Sequence, residues 1–112
     1  MLRSVKSSQR SMRIIAVTIS ANGTTVTGPD KDAVTVTDTG TGDKLITLNK
    51  AFAAVPTVIC SSGTSATEVR KGTVAAGSVQ ILSFASADGT TATDAIVDVI
   101  LIGKDVTANY GA

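Results

Sequence analysis

Apolar residues in this chain come in short runs, or in alternation with polar ones, and the runs are separated by glycine-rich turns. Such spacing predicts strands, not helices. A first strand is expected at Arg13–Ser20, followed by an Asn22-Gly23 hairpin turn, since both positions tolerate positive φ. Thr24–Thr27 would be the return strand, closed by Gly28-Pro29-Asp30. Ala33–Thr37 alternates, with Val34 and Val36 on one side and Thr35 and Thr37 on the other, as in a strand with one wet face. Asp38–Asp43 reads as a turn, Lys44–Leu48 as the returning strand and Pro56–Ser61 as the next. Phe52 falls at a corner between them. Residues 61–77 form a long polar connection with a short strand near Val69–Val74. Ser78–Ala85 is a strand, Asp88-Gly89 a turn, and Thr93–Gly103 the longest and most apolar strand. The period of 3.6 residues is nearly absent; one helical turn at Asn49–Ala54 is the only candidate.

The final strand has an unusual pattern. Ala95, Val97, Val99 and Leu101 share one side, and Ile96, Ile100 and Ile102 share the other, with Asp98 among them. Two apolar faces mean either a central strand covered twice or a second face that meets another subunit. Left bare, such a strand is a template for aggregation. Subunit contact is the expectation here. Short strands between glycine turns predict an all-β fold, an antiparallel β-sandwich of jelly-roll-like type, with an extended N-terminal arm.

Composition strengthens this picture. The 112 residues amount to one domain. Val, Ile and Thr, the β-branched types, number 39. Charge is uneven, although the formal net value is +1. Residues 1–13 carry Arg3, Lys6, Arg10 and Arg13 with no acidic residue, whereas residues 14–112 hold six basic and nine acidic ones. The chain thus divides into a basic arm, 1–13, and a sandwich body, 14–112. The apolar run Ile14–Ile19 is shorter than the ~7–15 residues of a signal-peptide core, and no stretch approaches the ~20 apolar residues of a membrane span.

Candidate chemistry is sparse. Histidine and tryptophan are absent, which removes a His-dependent triad, a His-ligated zinc and a Trp sugar platform. Cys60, the single cysteine, sits in the run Thr57-Val58-Ile59-Cys60 and reads as an inert, buried thiol without a base to activate it. Gly40-Thr41-Gly42-Asp43-Lys44 lacks the spacing and following helix of a phosphate loop and reads as a turn. Asp30, Asp32, Asp38 and Asp43 do not have calcium-loop spacing and read as turn-closing carboxylates. Asp98 is the most unusual acid: inside an apolar strand it calls for a salt bridge or a hydroxyl contact. Asp94, four residues earlier, is ~13 Å away along an extended strand, too far for a glycosidase pair. Asn22-Gly23-Thr24 fits a glycosylation pattern that the turn already explains. Phe52, Phe84 and Tyr110 are too few and too scattered for a base-stacking groove, so nucleic acid is disfavoured as a partner. No cofactor or metal is expected, and no enzymatic activity.

The segment Val34–Ser62, VTVTDTGTGDKLITLNKAFAAVPTVICSS, resembles one that recurs in bacteriophage structural proteins: a Thr/Val strand, a Gly-x-Gly-Asp turn, an Ile-Thr-Leu strand, then Phe, a spacer, Pro and a Val/Ile strand. Ala95–Asp105, AIVDVILIGKD, resembles the closing strand of the same virion β-domains. The likeness covers about half the chain. It implies a β-sandwich, assembly as a trimer or other homo-oligomer, and a place in the virion as a capsid decoration (cement) protein. Tail or fibre appendages, and receptor- or glycan-binding modules, are the alternatives. The absence of shaft repeats and a long coiled coil favours decoration. On that reading the partner is the major capsid protein or another virion protein, contacted by Arg3, Lys6, Arg10, Arg13 and Asp98. An arm of 13 residues reaches about 43–47 Å when extended, enough to bridge neighbouring capsomers.

Overall fold

The computed structural model describes residues 12–105. They fold into eight strands and one 3-10 turn: β1 (Met12–Ile19), β2 (Val26–Thr27), the turn Lys31–Ala33, β3 (Val34–Gly40), β4 (Asp43–Leu48), β5 (Thr57–Ser62), β6 (Thr67–Val74), β7 (Ser78–Ala85) and β8 (Val97–Lys104). Two antiparallel four-stranded sheets, ordered β2-β1-β8-β5 and β3-β4-β7-β6, pack face to face as an all-β sandwich. The first and last long strands pair with each other over their full length, Met12 opposite Lys104 and Ile19 opposite Val97. That pairing brings the two ends of the described chain together in the middle of one sheet.

Alternation decides which side chains fill the space between the sheets. Ile15, Val17 and Ile19 of β1 point inward with Val97, Val99 and Leu101 of β8, against Ile46 and Leu48 of β4 and Val79 and Ile81 of β7. Branched aliphatic side chains suit this space, because they are stiff and pack closely on a pleated surface. The β3 and β6 edges are polar. β3 exposes Thr35, Thr37 and Asp38, and β6 exposes Arg70 and Lys71, which discourages edge-to-edge pairing. Beyond the two residues of β2, the β1 edge is occupied by the next turn. The Ala16 amide donates to Asp30 Oδ2 (2.8 Å), and the Asp30 amide donates to the Ala16 carbonyl (3.3 Å).

Three expectations change in the structure. The Asn22-Gly23 turn is not a two-residue hairpin. β1 and β2 pair only at Thr18–Thr27 and Ile19–Val26, leaving Ser20–Thr25 as a loop. Asn22 Oδ1 organises that loop by accepting from Ser20 Oγ, the Thr24 amide and Thr24 Oγ1. Asn49–Ala54 forms no helical turn. Its backbone is spent on three other segments: the Asn49 amide donates to the Ala33 carbonyl, Phe52 to Ala76 and Ala53 to Lys104. Phe52 is thereby driven into the end of the core, 2% exposed. The last strand begins at Val97 rather than Thr93 and is no longer than β1, β6 or β7. Residues 93–96 cross from one sheet to the other, held by Thr93 to Ser83 (3.1 Å), Gly42 to Asp94 Oδ1 (2.8 Å) and Ile96 to Thr64 Oγ1 (2.9 Å).

Candidate functional site

The outer face of the β2-β1-β8-β5 sheet is the most distinctive surface among the described residues. The same alternation that buries Val97, Val99 and Leu101 turns Asp98, Ile100, Ile102 and Lys104 outward on β8, Met12, Ile14, Ala16 and Thr18 outward on β1, and Thr57, Ile59 and Ser61 outward on β5. The register aligns them in rows: Ile14–Ile102–Thr57, Ala16–Ile100–Ile59 and Thr18–Asp98–Ser61. Ile14 is 61% exposed, Ile59 52% and Ile100 39%, and Met12 and Ile96 are also open to solvent. Among the described residues the strand is central in its sheet yet covered on one face only. A contiguous, open, β-branched face is uncommon on a monomeric protein.

Asp98 lies at one end of this face. It is exposed, and its Oδ1 accepts a 2.6 Å hydrogen bond from Thr18 Oγ1 of the neighbouring strand. The hydroxyl contact expected from the sequence is therefore present, without the burial that made it necessary. Beside it lies a shallow depression of about 210 Å³ floored by Ala16, Thr18, Asp98 and Ile100 and rimmed by Gly28 and Pro29. Lys104 stands at the opposite end of the face. Gly103, the residue before it, points inward, where a Cβ would come within 2.8 Å of Phe52 Cδ1.

Of the four arm cations, Arg3, Lys6 and Arg10 fall outside the described residues, as does Tyr110. Arg13 belongs to β1 and so to the body. Its guanidinium lies 4.4 Å from the centre of the Phe52 ring, and its Nη2 donates to the Lys50 carbonyl at 2.6 Å. Cation–π and hydrogen-bond contacts thus hold Arg13 against the end of the core as part of β1. Lys50 pairs with Asp105 (3.4 Å) alongside. Arg13 and Asp98 are not brought together: β1–β8 pairing sets Arg13 opposite Gly103, five residues along the strand from Asp98.

The other candidate groups serve the fold. Asp30 binds the Ala16 amide, Asp38 binds the Gly40 amide at 3.1 Å, and Asp43 accepts from Gln80 Nε2. Among the described residues no three His, Cys, Asp or Glu side chains converge. Asp88 accepts from Thr91 Oγ1 and from the Thr90 and Thr91 amides, and these bonds lower its carboxyl pKa to about 2. Cys60 is half-buried beside the core. Burial raises its thiol pKa, against an opposing pull from Lys71.

The sequence places Lys44 at the junction of a turn and the strand Lys44–Leu48, without marking it as buried. It is 1% exposed, with its stem between the sheets and its strand neighbours Asp38 and Ile81 on either side. No carboxylate among the described residues lies within ion-pair distance of it. The signal was the alternation itself, since Ile46 and Leu48 point inward and Lys44 shares their parity. No protein-family model matches the sequence, and no curated protein or solved structure matches it.

Proposed function

We propose that the protein is a non-enzymatic structural component of a bacteriophage particle, decorating and reinforcing the capsid through many weak protein–protein contacts. The observation that carries this reading is the bare apolar face of β1, β8 and β5, which suits a module built to sit against other surfaces. The resemblance to virion β-domains supports it. Val34–Ser62 holds β3, β4 and β5, and Ala95–Asp105 holds β8, so the likeness includes two of the three strands that carry the face. Arg3, Lys6 and Arg10, which precede Met12 in the sequence, add cationic residues suited to acidic groups on the major capsid protein. Weak contacts suffice when every copy is held near the next, because effective concentration replaces single-site affinity.

Quantitative mass spectrometry of purified particles, together with add-back of recombinant protein to particles lacking it, tests the reading. Hundreds of copies per particle and saturable add-back are expected. A version lacking residues 1–11 should fold and bind less tightly. A handful of copies would place the protein in the tail, and selective hits on a glycan array without particle binding would replace the reading with a receptor-binding one.

A further inference from the structure

The outer face of β1, β8 and β5 is complementary to itself. Along β8 the outward residues read Asp98, Ile100, Ile102, Lys104: an anion, two isoleucines and a cation. A two-fold axis lying in the plane between two such faces, perpendicular to β8 at the level of Leu101, reverses the strand direction. It sets Asp98 of one copy opposite Lys104 of the other, and Ile100 opposite Ile102. The register carries the same operation to the neighbouring strands, since Leu101 is level with Ile15 on β1 and Val58 on β5. On β1, Ile14 then faces Ala16 of the second copy, a large side chain against a small one. On β5, Ile59 faces Thr57. Met12, 45% exposed, faces Thr18 and the depression beside it. Each of these contacts occurs twice, as an isologous interface requires.

We propose that the occupant of this face is a second copy of the chain, packed sheet on sheet in antiparallel orientation with two Asp98–Lys104 pairs closing the ends. The alternative two-fold, with its axis along the strands, sets Asp98 against Asp98 and Lys104 against Lys104; like charges disfavour it. The pairs stand six residues apart on one strand, about 20 Å, so the apolar rows lie between them, away from the charges. Aligned packing of twisted sheets at roughly −30° and about 10 Å separation accommodates this contact. Three strands give a contact smaller than the ~800 Å² per partner of a standard stable interface. The pair is therefore reversible, forming as concentration rises. The inference rests on the proposed structural role only for where the pairing is used, because the pairing itself is measured on isolated protein.

Sedimentation velocity of the full chain across a wide concentration range, with the folded state checked by circular dichroism, is the test. A monomer–dimer equilibrium is expected, and Ile100→Lys should abolish it. Asp98→Lys alone and Lys104→Asp alone should each weaken the dimer about tenfold or more, by creating like-charge contacts. Asp98→Lys combined with Lys104→Asp in one chain restores both pairs and should return the dimer to near its original strength. Rescue is the distinguishing result, since only a self-paired, antiparallel contact repairs itself in this way. A monomer at every concentration, a trimer, or a double variant as weak as the single ones would overturn the proposal. Add-back to particles would still stand or fall separately, so failure of the pairing and failure of the capsid reading are told apart.

Discussion

Replacing Gly103 by alanine tests how the end of the sandwich is packed. A Cβ at this position would lie 2.8 Å from Phe52 Cδ1 and 3.2 Å from Cε1 and Cγ, where carbon atoms pack best at roughly 3.5–4.0 Å. The ring has little room to retreat. The Arg13 guanidinium stacks on it, its own amide donates to the Ala76 carbonyl at 2.8 Å, and the next amide donates to Lys104 at 2.9 Å. Overpacking of a tight core costs about 1–3 kcal/mol. Taking ~2 kcal/mol, Gly103→Ala should lower the melting temperature by roughly 8–16 °C in a domain of this size. The opposing tendency is small: at a position without a positive φ, alanine in place of glycine stabilises by about 0.4–1 kcal/mol through the unfolded chain. Phe52→Ala alone should cost about 3–5 kcal/mol. Added to that background, Gly103→Ala no longer meets a ring, so its effect should change sign and become neutral or stabilising. Urea unfolding of the four proteins measures the cycle, with Phe52→Leu in place of Phe52→Ala if the latter does not fold. A Gly103→Ala that is harmless in the parent protein, or equally costly with and without the ring, would refute this packing.

Lys44→Met keeps the length of a buried stem and removes an ammonium with no carboxylate partner among the described residues, so stability should rise by about 1–2 kcal/mol; a loss in chemical denaturation would show that the ammonium is held by a favourable contact. Cys60 should react with a disulfide reagent far more slowly in the native protein than in urea, because burial raises its pKa and withholds the thiolate. Equal rates would contradict its placement beside the core. By linkage, that raised pKa favours the folded state below the unfolded thiol value and loses the contribution as pH rises through the folded one. Asp88 titrates in the opposite sense. With its folded pKa depressed to about 2 by Thr91 and Thr90, it supports the native state above its unfolded value of 3.8 and loses that support as pH falls toward 2. Carboxyl chemical shifts followed against pH should find it at the low end, and a midpoint near 4 would mean that the Thr91 bond is not kept in solution.

The linear chain settled the fold class through local physics. β-branched residues at period two, punctuated by glycine turns, can build only strands, and Ser78–Ala85 begins and ends in the structure where the pattern places it. It also showed that β8 carries two apolar faces, since alternation assigns Ile100 and Ile102 to the side opposite Val99 and Leu101 whatever the strand packs against. Which face is bare was not written in the chain. That depended on β8 lying between β1 and β5 with the second sheet on one side only, a consequence of pairings between residues 35 to 92 positions apart. The same distance dependence hid Phe52 and Arg13. Local preference offered one a helical turn and assigned the other to a charged arm, and contacts with Gly103, Ala76 and Lys50 overrode both. The pairing of Asp98 with Thr18 and the alignment of three outward rows likewise arise only when distant strands settle into one register. Composition and period come from neighbours along the chain, whereas a surface comes from neighbours in space, and only the folded sheet supplies those.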